Sequence, residues 1–161
     1  MKSLILVRHS KSNWDLPVLD IHRSLTESGI LNIQKVAVMA KEILSSNCVI
    51  WSSTAVRASH TALLFCKQGL LDENKIEFKD NLYTFDENQL EKEIKKCENN
   101  VENLILFGHN EAITNFVNKF GDKYITNVPT AGFVYLQFEQ NSWKDINKGK
   151  TIRTIFPKEI D

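Results

Sequence analysis

Cysteine is scarce in this sequence and is not arranged for disulfides or for a metal. The three cysteines are Cys48, Cys66 and Cys97. They are odd in number and widely spaced, and they lack the Cys-x-x-Cys pattern of many metal sites. This usage predicts free, buried thiols and a reducing, cytoplasmic location.

Net charge and long apolar runs are also missing. Twenty basic residues balance twenty acidic ones, so a nucleic-acid or anionic-membrane partner has no electrostatic support. No apolar run approaches the roughly 20 residues that span a bilayer, and the run that follows Met1-Lys2-Ser3 is too short for a signal peptide. Neutral charge, with no evident exposed apolar stripe, predicts a monomer.

Short apolar runs alternate with segments of helical periodicity. The 161 residues contain no repeat or linker, which predicts one domain, 1–161. The predicted strands are 4–7, 48–51, 76–78, 104–107, 133–138 and 151–156. The first two predicted helices are 27–45, with Thr26 as N-cap, and 55–69, with Thr54 as N-cap. Two further helices are predicted, one over 88–97 and one that ends at Gly121. This alternation indicates an α/β fold, a three-layer α/β/α sandwich whose mixed, mostly parallel sheet has the last two strands as an edge hairpin. Residues 13–25 form a long ordered loop of the kind that is usually functional.

Three of the predicted strands are each followed by a cluster of polar residues. Arg8-His9 follows the first strand, the segment from Ser53 to Arg57 the second, and His109 the strand at 104–107. Because parallel strands place their carboxyl ends side by side, two histidines and two arginines can converge on one site. Guanidinium groups bind phosphate in a planar, bidentate manner, and imidazole can act as a base or a nucleophile. The spacing therefore favours a phosphoryl pocket.

Other interpretations of these residues remain open. Arg57 lies in the first turn of its helix, where the dipole favours an anion, but it can equally pair with an acidic residue. Zinc competes for any pair of histidines. No cysteine or carboxylate accompanies them at ligand spacing, and flanking arginines would repel the cation, so we expect no metal.

These motifs together resemble the histidine phosphatase superfamily, whose signature is Arg-His-Gly. The resemblance rests on Leu6-Val7-Arg8-His9, Arg57 and Gly108-His109-Asn110. More narrowly, the segments 8–15, 23–26 and 127–132 are similar to the small SixA-like phosphohistidine phosphatases, and the similarity continues to Phe156-Pro157-Lys158. The resemblance implies a phosphoglycerate-mutase-like fold and a phosphatase that needs no cofactor.

The resemblance also implies roles for individual residues. His9 is the implied nucleophile, which forms a transient phosphohistidine that water then hydrolyses. Arg8, Arg57 and His109 are implied to hold the phosphoryl oxygens. Further implied substrate contacts are Arg23, for which a surface salt bridge is the alternative, and also Ser10 and Asn110.

The sequence departs from the family pattern at several positions. Ser10 replaces the signature glycine, Ser24 replaces a common proline, and Glu111 stands where a proline often follows the His-Asn pair. Only Asp86 and Glu87 are placed to act as a leaving-group acid, and an ordinary acidic turn is the alternative for both. His22 can approach the site or be a solvated loop residue, and His60 is most simply structural.

The leading hypothesis is therefore a metal-independent phosphatase acting on phosphohistidine in a protein. A small-molecule phosphomonoesterase is the alternative within enzymes. A non-catalytic module that binds phosphate or a phosphoprotein is the alternative outside them.

Overall fold

The computed structural model describes residues 1–160 and contains one six-stranded sheet. Its strands are β1 (Lys2–Arg8), β2 (Val49–Ser53), β3 (Ile76–Lys79), β4 (Asn103–Gly108), β5 (Phe133–Phe138) and β6 (Lys150–Ile155). Their order across the sheet is β3-β2-β4-β1-β5-β6. The first four of these strands in space are parallel, while β5 is antiparallel to both β1 and β6. The predicted mixed sheet with an edge hairpin is confirmed.

Helices cover both faces of this sheet. They are α1 (Glu27–Ala40), α2 (Val56–Gln68), α3 (Glu87–Ile94) and α4 (Ala112–Phe120). Side chains alternate between the faces of a strand, so Ile5 and Val7 of β1 pack in one core with α1 and α2. Leu4 and Leu6 pack in the opposite core with α3 and α4. The predicted three-layer α/β/α arrangement is confirmed.

The helix ends differ in detail from the sequence predictions. Thr26 caps α1 as expected, since its hydroxyl accepts from the Gly29 N–H at 3.0 Å. The predicted cap at Thr54 is wrong, because Ala55 is the N-cap residue and its N–H is bonded to the Ser53 hydroxyl. The regular part of α1 ends at Ala40, where a 3-10 turn (Lys41–Ile43) replaces the predicted last turn. Helix α3 runs from 87 to 94 rather than from 88 to 97.

The loop between β1 and α1 is ordered, as predicted. It contains a 3-10 turn (Asp20–His22) and a bridge between Ser12 and Leu25. The expectation that no apolar stripe is exposed is wrong, because this loop exposes several large apolar side chains. The sequence of the loop has neither helical nor strand periodicity, so it does not show which of its side chains are exposed. They are Trp14, Leu16, Val18 and Leu19.

The three cysteines are free thiols, as predicted, and two of them are buried. Burial raises the pKa of Cys66 to about 12 and that of Cys97 to about 11. Cys48 is only half-buried. No helix within residues 1–160 is long and apolar enough to cross a bilayer.

Candidate active site

The register of the sheet brings the two predicted histidines together. Arg8 lies opposite Gly108 in the β1–β4 pairing, so His9 and His109 leave the sheet side by side. Their ring centroids are 5.3 Å apart. The neighbouring strand β2 ends at Ser53, whose hydroxyl is 2.8 Å from Nε2 of His109. The predicted convergence of these strand ends is therefore present in the structure.

A backbone carbonyl fixes the tautomer of the buried His9 ring. Its Nδ1 lies 2.7 Å from the carbonyl oxygen of Ser10. A carbonyl only accepts hydrogen bonds, so Nδ1 must donate and Nε2 of the neutral ring keeps its lone pair. Burial lowers the pKa of His9 to about 4, and the charges of Arg57, Arg8 and Arg23 add to this effect against the hydrogen bond to Ser10. At neutral pH, Nε2 is therefore free to attack an electrophile.

His109 is also held neutral. Burial is the main cause that lowers its pKa to about 3, and His9 and Arg57 lower it further. Its Nδ1 is buried and has no hydrogen-bond partner among residues 1–160. An anion bound beside His9 would favour the protonated form of the His109 ring.

The two arginines also have unsatisfied nitrogens. The Nη1 atom of Arg8 donates to the Val128 carbonyl at 2.9 Å, which leaves its Nε buried without a partner within the described chain. The Nε of Arg57 is unsatisfied in the same sense. Buried polar groups are normally hydrogen-bonded, and cationic donors favour an anionic acceptor. The arrangement therefore suits a phosphoryl group.

Asp20 is a site residue that sequence reasoning did not single out. Its carboxylate accepts from Nη2 of Arg57 at 3.0 Å, from Nε of Arg23 at 3.1 Å and from the hydroxyl of Tyr83. Partial burial opposes its ionisation, but these three hydrogen bonds lower the pKa to about 2. Arg57 and Arg23 thus each pair with an acidic residue, and each also lines the cavity, so their contact with a substrate stays a prediction.

The side chains of His9, Arg8 and Arg57 line a cavity of about 590 Å³, of which His109 is not a lining residue. The polar lining residues of this cavity are Arg8, His9, Lys11, Ser12, Asp20, Arg23, Arg57, Asn110 and Thr130. Aromatic residues of the same cavity are Trp14, Tyr83 and Phe85. The aromatic residues were not predicted, because they lie in irregular segments whose pattern indicates no shared location.

Two of the implied substrate contacts are used mainly within the protein. The side chain of Ser10 is fully buried, and its hydroxyl donates to the Gly29 carbonyl at 2.6 Å. Asn110 borders the cavity, but its Oδ1 accepts from the N–H and hydroxyl of Thr114. Ser10 has no positive φ, which explains why this position does not require the signature glycine.

The predicted acids lie beside the cavity rather than in it. Asp86 caps α3, with its Oδ1 accepting from the Asn88 N–H at 3.2 Å. Together with Glu87 and Glu111 it borders an adjoining cavity of about 750 Å³. The structure therefore does not place these carboxylates next to His9, and the alternative of an ordinary acidic turn fits Asp86 and Glu87.

Other candidate residues lie away from the two rings. His22 is exposed and does not border the cavity of His9, and His60 is half-buried within α2. In the part of the chain that the structure describes, no group of three His, Cys, Asp or Glu side chains is placed to hold a metal ion.

The segment 127–132 is hydrogen-bonded through its backbone to the end of β1. The Ala131 N–H lies 3.1 Å from the carbonyls of both Arg8 and His9, and the Arg8 N–H donates to Gly132 at 3.0 Å. Ala131 has a φ of 60°, which is uncommon for a residue with a Cβ. This part of the sequence motif therefore shapes the backbone of the site.

No protein-family model matches the sequence, and no curated protein does. Solved structures match over nearly the whole chain. The protein histidine phosphatase SixA complexed with tungstate aligns with a TM-score of 0.81 at 16% identity, covering 97% of both chains. The chain has the histidine phosphatase fold.

Two further structures extend this comparison. A protein from Agrobacterium tumefaciens that carries the name phosphohistidine phosphatase SixA aligns with a TM-score of 0.77 at 22% identity, covering 96% of this chain and 97% of its own. Mycobacterial glucosyl-3-phosphoglycerate phosphatase aligns at 0.68 and 12% identity, covering 94% of this chain and 97% of its own. The resemblance to histidine phosphatases that the motifs predict is confirmed in the fold.

Proposed function

We propose that this protein is a metal-independent phosphatase that dephosphorylates phosphohistidine in a protein, with His9 as nucleophile. One observation carries the proposal: the hydrogen bond from His9 Nδ1 to the Ser10 carbonyl leaves Nε2 unprotonated inside a cationic cavity. Solved phosphatases of the same fold support it, including one that holds tungstate, a tetrahedral oxyanion like phosphate.

The first step transfers the phosphoryl group to His9. The lone pair of Nε2 attacks phosphorus, a new N–P bond forms, and the P–N bond of the substrate breaks with its electron pair leaving on the substrate imidazole. Negative charge spreads over the phosphoryl oxygens in the transition state. Arg8 and Arg57 both line the cavity and would stabilise that charge.

The second step returns the enzyme to its starting state. A water molecule attacks phosphorus, the bond between phosphorus and His9 breaks, and inorganic phosphate leaves. The electron pair of that bond returns to Nε2, and the proton lost by water is carried away with phosphate or solvent. The Ser10 carbonyl keeps the ring in one orientation through both steps.

The cavity favours a phosphoramidate over a phosphate ester. An alkoxide leaving group needs a proton from an acid, whereas an imidazole protonated on its second nitrogen leaves as a neutral molecule. Among residues 1–160, Asp20 is the one carboxylate that borders the cavity, and its pKa of about 2 keeps it ionised at neutral pH. Asp20 is therefore unsuited to act as a general acid.

The loop beside the cavity favours a protein substrate over a metabolite. Trp14 belongs to the cavity wall, and Leu16, Val18 and Leu19 continue from it as exposed apolar side chains. Exposed apolar surface of this kind often marks a protein contact. A phosphohistidine presented on a protein surface can enter the cavity while its surroundings rest on this loop.

The experiment measures phosphate release from a phosphohistidine protein and from p-nitrophenyl phosphate in parallel, with excess chelator present. It compares the native protein with His9→Ala, and it uses His22→Ala as the matched control because His22 is an exposed histidine outside the cavity. Substrate with a labelled phosphoryl group, followed by rapid denaturation, traps any covalent intermediate.

We expect phosphate to be released faster from phosphohistidine than from p-nitrophenyl phosphate, and an acid-labile label to be trapped on His9. Phosphate release and the trapped label should both be lost in His9→Ala and both be kept in His22→Ala. Preference for the ester would instead favour a small-molecule phosphomonoesterase. Phosphate binding without turnover of either substrate would favour a binding module.

A further inference from the structure

Two large aromatic side chains of the cavity remain exposed to solvent. Trp14 is 76% exposed and Phe85 is 52% exposed. Both border the cavity that contains His9. Exposed aromatic rings offer apolar area that a ligand can cover with little loss of conformational freedom.

Both rings are positioned by contacts with a buried residue of the site. The guanidinium carbon of Arg23 lies 3.4 Å from the centroid of the Trp14 ring, and Arg23 itself is buried and paired with Asp20. Phe85 meets the buried His109 ring edge-on at 5.5 Å and the Tyr83 ring at 5.7 Å. The cavity thus combines a cationic part with positioned aromatic walls.

We propose that Trp14 and Phe85 form a leaving-group subsite that selects a planar aromatic ring bonded to the phosphoryl group. This inference rests on the proposed function and deepens it, because the selected ring is the substrate imidazole. An imidazole presents a flat π face that stacks on indole and phenyl rings. A flexible alkylamine has no such face and gains less from these walls.

The test compares two phosphoramidates that differ only in the leaving group. Free phosphohistidine has an aromatic leaving group, and Nε-phospholysine has an aliphatic one. For each substrate, kcat/KM is measured with the native protein and with Trp14→Ala, Phe85→Ala and Phe85→Leu. Phe85→Leu keeps apolar bulk and removes only the ring. Tyr124→Ala is the matched control, since Tyr124 is an exposed aromatic residue that does not border the cavity.

We expect kcat/KM for phosphohistidine to fall by roughly three- to tenfold with each ring removed. The value for phospholysine should stay within about twofold, because the aliphatic amine does not use the stacking contact. The Ki of inorganic phosphate should not change, because that anion has no ring. Tyr124→Ala should leave all three quantities unchanged.

Equal losses on both substrates, or no loss on either, would overturn the subsite while leaving the phosphatase activity intact. A raised Ki for phosphate in Trp14→Ala, with losses on both substrates, would show that Trp14 only supports Arg23 and would also overturn it. If the native protein turns over neither substrate, both the proposed function and the proposed subsite are contradicted.

Discussion

Asp20 holds Arg57 through both its backbone and its side chain. Nη1 of Arg57 donates to the Asp20 carbonyl at 2.7 Å, and Nη2 donates to its carboxylate at 3.0 Å. A negative charge therefore already lies beside the groups that we propose to bind phosphate. Because the carboxylate is partly exposed, its effect on a bound anion is moderated by solvent but not abolished.

Replacing this carboxylate should strengthen phosphate binding. Asp20→Asn removes a negative charge that opposes the incoming dianion, and its amide oxygen and backbone carbonyl can still accept from Arg57. We expect the Kd of inorganic phosphate to fall about fivefold at low salt, equivalent to about 1 kcal/mol, and less at high salt. Calorimetric titration measures this, with the exposed Asp15→Asn as control. Weaker binding would show that the charge of Asp20 is needed to position Arg57.

The two central histidines should stay neutral well below their usual titration range. The pKa of His9 is about 4 and that of His109 about 3, mainly because burial penalises the charged ring. In a ¹⁵N–¹H spectrum of the imidazole groups, we expect these two rings to show no titration between pH 8 and pH 5. His9→Gln and His109→Gln assign the signals. A midpoint near 6.5 for either ring would contradict the burial argument.

The same pKa values make stability depend on pH in a defined window. Below about pH 6.5, the unfolded chain protonates both rings while the folded protein does not until about pH 4 for His9 and pH 3 for His109. The unfolded state then binds more protons, so the free energy of unfolding falls as the pH falls. The slope is at most about 1.4 kcal/mol per pH unit for each ring.

Urea unfolding at pH 7.5, 6 and 5 measures this slope. His9→Gln and His109→Gln should each reduce it by the contribution of one ring, and His22→Gln should not. Asp20 does not affect this window, because its lowered pKa contributes stability that is lost only as the pH falls from about 4 towards 2. Identical slopes in all variants would refute the assignment.

Thr61 should matter to the site although it does not border the cavity. Its hydroxyl accepts from the Ser10 N–H at 2.9 Å and donates to the Arg57 carbonyl at 2.6 Å. Thr61→Val keeps the shape but leaves the buried Ser10 N–H without its partner, so we expect a loss of about 1–3 kcal/mol in the free energy of unfolding together with a lower kcat.

A conservative variant and a matched one separate these effects. Thr61→Ser keeps the hydroxyl and should restore most of both quantities. Thr54→Val should change stability little, because the buried Thr54 hydroxyl has no partner within residues 1–160. An equal loss of unfolding free energy in Thr54→Val would contradict the role proposed for the Thr61 hydroxyl.

The sequence allowed prediction of the parts of the site that depend on local pattern. Arg8 is the last residue of β1, and His9 and His109 directly follow β1 and β4, and the geometry of a parallel sheet makes such ends meet. The fold followed from the same alternation of strands and helices, with helix ends displaced by up to five residues.

Residues that reach the site from irregular segments were not predictable in this way. Asp20, Trp14 and Phe85 lie outside regular strands and α-helices, so no periodicity shows which way they point. Asp20 had one signal, its position three residues before Arg23, which suits a local ion pair. The predicted cap at Thr54 was wrong because three hydroxyl residues, Ser52, Ser53 and Thr54, precede Ala55, and their order alone does not show which one accepts from the backbone.

Helix α1 packs directly against the segment that follows His9. A Cβ on Gly29 would lie 2.3 Å from the Lys11 carbonyl oxygen, and the Ser10 hydroxyl is bonded to the Gly29 carbonyl. Exchanging glycine for alanine in a helix is a common way to make a protein more heat-resistant. Here the added methyl group would push on the residues next to His9, so this glycine must be kept in any effort to raise the thermal stability of the protein.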